Sequence, residues 1–234
     1  MSSLVRWTFG ATTIAIALGF PPRVTPTPAT GSIERIATLG TARAAHTTTA
    51  LPSGDLLVAG GMGAGGGSLS TVELIDVSAA RTRAVASMAR ARAGHTATAL
   101  PDGRVVLAGG YNGEYLRSVE VFDPVRQRFA MMGWLNEGQS GHTATLLRDG
   151  RILMIGGVGR GWSFLASAEL FDPTTGRSKP VGPLSVPRES HTATLLADGR
   201  VLIVGGYGLG NRNTAGVWRF RAHSPCGTRS ERPC

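Results

Sequence analysis

Between residues 33 and 220 the apolar positions fall in short runs broken by glycine, and the breaks return at a nearly fixed period. Four copies of one unit begin at His46, His95, His142 and His191, with intervals of 49, 47 and 49 residues. Each opens with a stretch such as His142-Thr143-Ala144-Thr145-Leu146-Leu147, in which threonine alternates with small apolar residues, the pattern of a half-buried strand. A turn follows at Ser53-Gly54, Asp102-Gly103, Asp149-Gly150 or Asp198-Gly199. Its glycine supplies the positive φ that a tight hairpin requires. The returning run is almost continuously apolar and ends in paired glycines, Gly60-Gly61, Gly109-Gly110, Gly156-Gly157 and Gly205-Gly206. A strand that is apolar on both faces must be covered on both, so sheets stack on sheets.

Strict alternation then predicts a third strand at Val72–Asp76, Val119–Pro124 and Ala168–Pro173, and a short fourth at Arg83–Met88, Arg128–Trp134 and Lys179–Leu184. Four antiparallel strands per unit of this length give the arithmetic of a propeller blade. Blade cores are placed at 46–88, 95–134, 142–184 and 191–220, and Ile33–Leu39 is read as an orphan outer strand ahead of the first. The fourth copy is eroded, with Gly216-Val217-Trp218-Arg219-Phe220 where its predecessor has Ala168-Glu169-Leu170-Phe171-Asp172-Pro173.

The run from His191 to Gly206, together with Ser167 to Arg177, resembles the kelch repeat in its bacterial, galactose-oxidase-like form, and the likeness extends over residues 33 to about 220. It implies an all-β fold, a kelch-type β-propeller of about four blades, as a small closed ring or an open partial propeller. One departure is plain. The fourth-strand tryptophan of kelch repeats falls on Thr82, Phe129 and Ser178, so thinner outer packing is expected.

Outside the repeats, residues 1–20 carry Arg6, an apolar stretch and Ala15-Ile16-Ala17, and read as a signal-peptide-like leader. Residues 21–32 form a Pro/Thr linker, and the 221–234 tail holds the only cysteines, Cys226 and Cys234, a disulfide candidate in an oxidising compartment. Together these predict a secreted or periplasmic protein without stable membrane insertion once the leader is removed. The net charge is +9, yet the basic residues are scattered, and all but Lys179 are arginine. No nucleic-acid partner is expected from such a distribution.

Recurrence assigns His46, His95, His142 and His191 to blade packing rather than to a metal ring, and neither metal nor cofactor is expected. Galactose oxidase needs a tyrosine cross-linked to a cysteine, whereas this chain has Tyr111, Tyr115 and Tyr207 but no cysteine before Cys226. Hydrolase and phosphate-loop motifs are also missing. The post-glycine loops and the blade-to-blade links share one end of the strands, and the resemblance implies that this face binds a protein or carbohydrate ligand. Its candidate contacts are Arg43, Arg92, Arg188, Tyr111, Asn112, Trp162 and Tyr207. The arginines carry a competing assignment as repeat consensus packed over the neighbouring blade. The expected function is therefore an exported, noncatalytic binding module. The alternatives are a galactose-oxidase-like or other carbohydrate-active enzyme, and an inactive fragment of a longer propeller. Open blade edges invite self-association.

Overall fold

The computed structural model of the chain describes residues 33–208, 212–213 and 216–220. The leader and linker at 1–32 and the tail with Cys226 and Cys234 lie outside the described residues. The first blade is a meander of β1 (Thr47–Ala50), β2 (Leu56–Ala59), β3 (Val72–Asp76) and β4 (Arg81–Val85), and the second repeats it with β5 (Thr96–Ala99), β6 (Val105–Ala108), β7 (Ser118–Asp123) and β8 (Arg128–Trp134). In the third, β9 (Thr143–Leu146), β10 (Ile152–Ile155), β13 (Ala168–Asp172) and β14 (Arg177–Val181) form the sheet. Its post-glycine loop makes a small ladder of β11 (Val158–Gly159) and β12 (Ser163–Phe164). After β15 (Arg188–Glu189), the last blade has three strands, β16 (Thr192–Leu195), β17 (Val201–Val204) and β20 (Val217–Phe220), while β18 (Tyr207–Gly208) pairs with β15 and with β19 (Arg212–Asn213).

The innermost strands pack in series, β1 on β5, β5 on β9 and β9 on β16, and among the described residues β16 does not return to β1. These are kelch-type blades in an open partial propeller. Three apolar clusters fill the spaces between successive blades. The strand period decides who enters which: Leu57, Ala59, Val72 and Leu74 face forward to meet Val105, Leu107 and Phe122 of the second blade. Val106, Ala108 and Val119 in turn face the third. Consequently β6 and β10 are buried along their whole length, as their continuous apolar runs demand.

The paired glycines sit where the next link crosses the sheet. Gly109 has φ +63°, and a Cβ there would lie 2.6 Å from the Gln139 carbonyl oxygen and 2.8 Å from the His142 ring. Gly150, in the hairpin turn, has φ +84° with nothing within 4 Å. Gly150→Ala is therefore expected to cost about 1–2 kcal/mol for its backbone conformation alone, and Gly109→Ala about 1–3 kcal/mol more for the overlap, as measured by urea unfolding.

The outer strands differ from expectation. Residues 33–39 form no strand ladder, because the third strand they would have to join is not beside them. β4 and β14 end at Val85 and Val181, short of Met88 and Leu184. Those two residues instead turn inward: Met88 is buried, and the Met88 and Leu184 amides donate to the carbonyls of Ser70 and Ala166. At the tryptophan positions, Phe129 packs on Phe122 with ring centroids 5.0 Å apart, and Thr82 donates to the Thr38 carbonyl at 2.9 Å.

Candidate functional site

Links and post-glycine loops pair directly, through bridges Ala44 to Met62, Ala93 to Tyr111 and Ser140 to Val158 and through the β15–β18 ladder, so they build one face. The arginines do not present their charge on it. Arg92 is fully buried: Nη1 donates to the Gly109 carbonyl at 2.6 Å, and Nη2 donates to Glu120 Oε1 at 2.6 Å and to Ser118 Oγ at 3.1 Å. Glu120 also accepts the amides of Ala89 at 2.7 Å and Arg90 at 3.1 Å, which clamps the preceding link to the third strand. Arg43 repeats the arrangement with Gly60 and Glu73, each at 2.7 Å.

The third copy exchanges the arginine for Gln139, 3.5 Å from Glu169, and Asn136 closes the clamp. In the fourth, Trp218 stands where the glutamate was. The Arg188 guanidinium carbon lies 3.4 Å from its ring centroid, its Nη1 still donates to the Gly205 carbonyl, and the indole N–H donates to Ser185 Oγ, in the link, at 3.0 Å. One indole thus serves both contacts of the lost carboxylate, by cation–π attraction and by a hydrogen bond. Reading Arg43, Arg92 and Arg188 as ligand contacts is corrected accordingly, since their guanidinium groups are consumed within the blade junctions.

The histidines act at the same junctions. His95, His142 and His191 place Nε2 within 2.9–3.0 Å of the hydroxyls of Thr47, Thr96 and Thr143 on the preceding inner strand. Burial pushes His95 and His142 down to about 3 and His191 to about 4, so all three are neutral near pH 7. Of the four repeat histidines, His46 alone is exposed. Among the described residues no three His, Cys, Asp or Glu side chains converge as a metal site.

What the face does present is aromatic. Tyr111 and Tyr115 flank the turn at Asn112, whose amide donates to the Glu114 carbonyl at 3.1 Å, and their ring centroids are 5.0 Å apart. Trp162 reaches over from the third blade, 6.0 Å from each ring. It is 73% exposed and has φ +61°, a left-handed backbone that a bulky side chain rarely adopts. Around the rings lies a cleft of about 740 Å³ lined also by Glu114, Arg117, Asn136, Glu137 and Arg160. A smaller depression is lined by the same three rings together with Ala45, Gly94, Gly141 and Glu189. Burial raises the Tyr115 phenol, and Tyr111 and Glu189 add to the effect. Tyr207 belongs to a separate pair with Phe164, centroids 5.5 Å apart.

Residues 91–132 match the kelch motif. The matched span is the second blade with its incoming link, and it holds Arg92, His95, Gly109, Gly110 and Glu120, a whole junction set. A comparison with curated proteins gave no match. The hydrogen bonds within that span make the buried arginine, glutamate and glycines part of the blade junction. Tyr111 and Tyr115, though inside the matched span, stand on its variable loop. Trp162 arrives from the next blade, so the cleft is assembled between two units.

Sequence reasoning singled out Tyr111, Asn112, Trp162 and Tyr207 but passed over Tyr115, Arg117 and Glu137 as site residues. Tyr115 was within reach, because a tight turn at Asn112–Glu114 brings Tyr111 and Tyr115 together as a bridged pair. The approach of Trp162, Arg117 and Glu137 depends on the angle between blades, which no local pattern encodes.

Proposed function

We propose that the chain is an exported, noncatalytic kelch-repeat module that binds a protein partner through the cleft of Tyr111, Tyr115 and Trp162. Kelch repeats typically mediate protein binding, and the export reading rests on the leader and the tail cysteines. The observation that carries the site is Trp162, a large aromatic side chain held out to solvent on a left-handed backbone beside two tyrosines. Strain of this kind collects at ligand-binding positions, and Trp, Tyr and Arg dominate interface energetics. Glu114, Glu137, Arg117 and Arg160 supply charges of both signs at the rim.

A second reading is a carbohydrate ligand, in line with the resemblance of the repeats to galactose-oxidase-like kelch sequences. An open indole face beside carboxylate and guanidinium groups suits a sugar ring, which has one apolar face and a hydroxyl rim. The test is selection from a displayed random-peptide library alongside a glycan array, each with wild type and Trp162→Ala. Enrichment of a related peptide set, weakened at least about tenfold in the variant as for an interface hot spot, supports the protein reading. Glycan binding lost in the variant replaces it with the second, and binding indifferent to Trp162 overturns both.

A further inference from the structure

We infer that the protein partner inserts a basic side chain, lysine or arginine, into the depression lined by Glu189 and the rings of Tyr111, Tyr115 and Trp162. The inference rests on the aromatic cleft being the binding site and adds the chemistry of what it holds. The depression has a volume of about 240 Å³. Pockets for whole small molecules begin at roughly 300 Å³, so this one suits a single group of a larger ligand.

Its shape follows from the repeat. The position two residues before each histidine is Ala44, Ala93, Ser140 and Glu189, and the position directly before it is Ala45, Gly94, Gly141 and Ser190. Among these, Ala45, Ala93, Gly94, Ser140 and Gly141 form a floor of small residues, and Glu189 alone brings a long acidic side chain to it. The backbone ties the floor together: the Gly94 amide donates to the Ala45 carbonyl at 3.0 Å, Gly141 to Gly94 at 2.9 Å and Ser190 to Gly141 at 3.4 Å. Alternation along β15 turns Arg188 into the blade junction and Glu189 away from it. Glu189 Oε2 then lies over Gly141, where a Cβ would come within 3.1 Å of it.

The surroundings fix the sign of the ligand. Glu189 makes no salt bridge among the described residues, and no described lysine or arginine lines the depression. Arg188, its neighbour in sequence, is engaged by the Gly205 carbonyl and the Trp218 ring. The Tyr115 hydroxyl is buried without a hydrogen-bond partner among the described residues. Burial, Tyr111 and Glu189 all raise its phenol, so it stays neutral and can accept an N–H. Aromatic faces attract a cation placed within about 6 Å of the ring centre. A charged head on an alkyl stem therefore meets a carboxylate, a hydroxyl and ring faces together, while its stem packs on the apolar lining. An acidic side chain would face Glu189 with like charge, and a hard metal ion would want several oxygen ligands where one carboxylate is offered.

The experiment is an NMR titration of the full chain with the N-acetyl methylamides of lysine, arginine, norleucine and glutamate. It is followed at the Trp162 indole N–H, the resonance missing from Trp162→Phe. The lysine or arginine derivative is expected to saturate the shift, with norleucine and glutamate at least about tenfold weaker. Glu189→Gln weakens the basic derivatives at least about tenfold, as for truncating one side of a close charge pair. Asp198→Asn, on the β16–β17 turn at the far end of the strands, leaves them unchanged. Should Glu189→Gln fail to fold, Glu189→Asp, which keeps the charge and shortens its reach, must weaken the basic derivatives and spare norleucine. Equal binding of norleucine, an affinity indifferent to Glu189, or no saturable shift with either basic derivative overturns the inference. The cleft is judged separately: library peptides that depend on Trp162 but bind Glu189→Gln as well as wild type keep the protein reading and remove the basic side chain from it.

Discussion

Replacing Arg92 by alanine will lower the free energy of unfolding by about 3–5 kcal/mol, the range for removing one partner of a buried ion pair. The cost does not come from losing an attraction alone. The guanidinium satisfies the Gly109 and Ser118 carbonyls as well as Glu120, and all of them lie where water does not reach. With Arg92 gone, the Glu120 carboxylate remains buried with only the two link amides for company. Glu120→Gln in the Arg92→Ala background should then recover part of the loss, a non-additivity that marks a direct partner. Arg104 is the control, because its pair with Asp102 is 40% and 50% exposed. Alanine there is expected to cost less than about 1 kcal/mol. Both are read from urea unfolding at pH 7. An Arg92→Ala protein of unchanged stability would return the arginine to the ligand face.

That contrast shows where the sequence was informative. Local signals did well: the Asp-Gly turns, the glycine pairs and the alternation of Val119 to Asp123 each fix their own few residues, and the structure has strands and turns at those places. Identity of partners did not follow from the same signals. The recurrence of an arginine three positions before His46, His95 and His191 said that the residue mattered, but for Arg92 the glutamate stands about thirty residues further on, and nothing local joins the two. The fourth copy was harder still. Its Arg188 persists while the glutamate position has become Trp218, which reads as erosion until the indole is seen bonded to both the arginine and the link. The outer strands misled for a related reason. Met88 and Leu184 extend an apolar alternation that continues the fourth strand on paper, yet each closes over its blade's end rather than lengthening its edge. The aromatic cleft was legible as residue types and illegible as an assembly, since its members come from loops whose approach is set by how one sheet packs on the next.

Lowering the pH from 7 to 5 will destabilise the protein by about 2 kcal/mol for each of His95 and His142, as linkage requires for an imidazole whose pKa falls from an unfolded value of about 6.5 to about 3 in the fold. Between those two values the unfolded chain binds protons that the folded chain refuses, so stability is greatest above about pH 6.5. It declines as the pH falls and levels off near pH 3, where the folded imidazoles finally protonate. His191, pushed down to about 4, contributes in the same direction over a narrower window. The structural cause is the junction itself. Each ring bonds a threonine through Nε2, and Nδ1 of His142 and His191 is buried without an acceptor, so a second N–H has nowhere to go. For His95 the charge of Arg92 adds to the burial. The exposed turn aspartates cannot mimic this, because Asp102, Asp149 and Asp198 start from 3.8 and are lowered further, which confines their titration to more acid solution. Urea midpoints measured from pH 7 to 4 should fall steadily, and His142→Gln should flatten the slope while still offering an amide to Thr96. A midpoint that stays level between pH 6.5 and 5 would mean that the three rings are open to water, and with it that the blades do not pack as closely as the histidine–threonine contacts require.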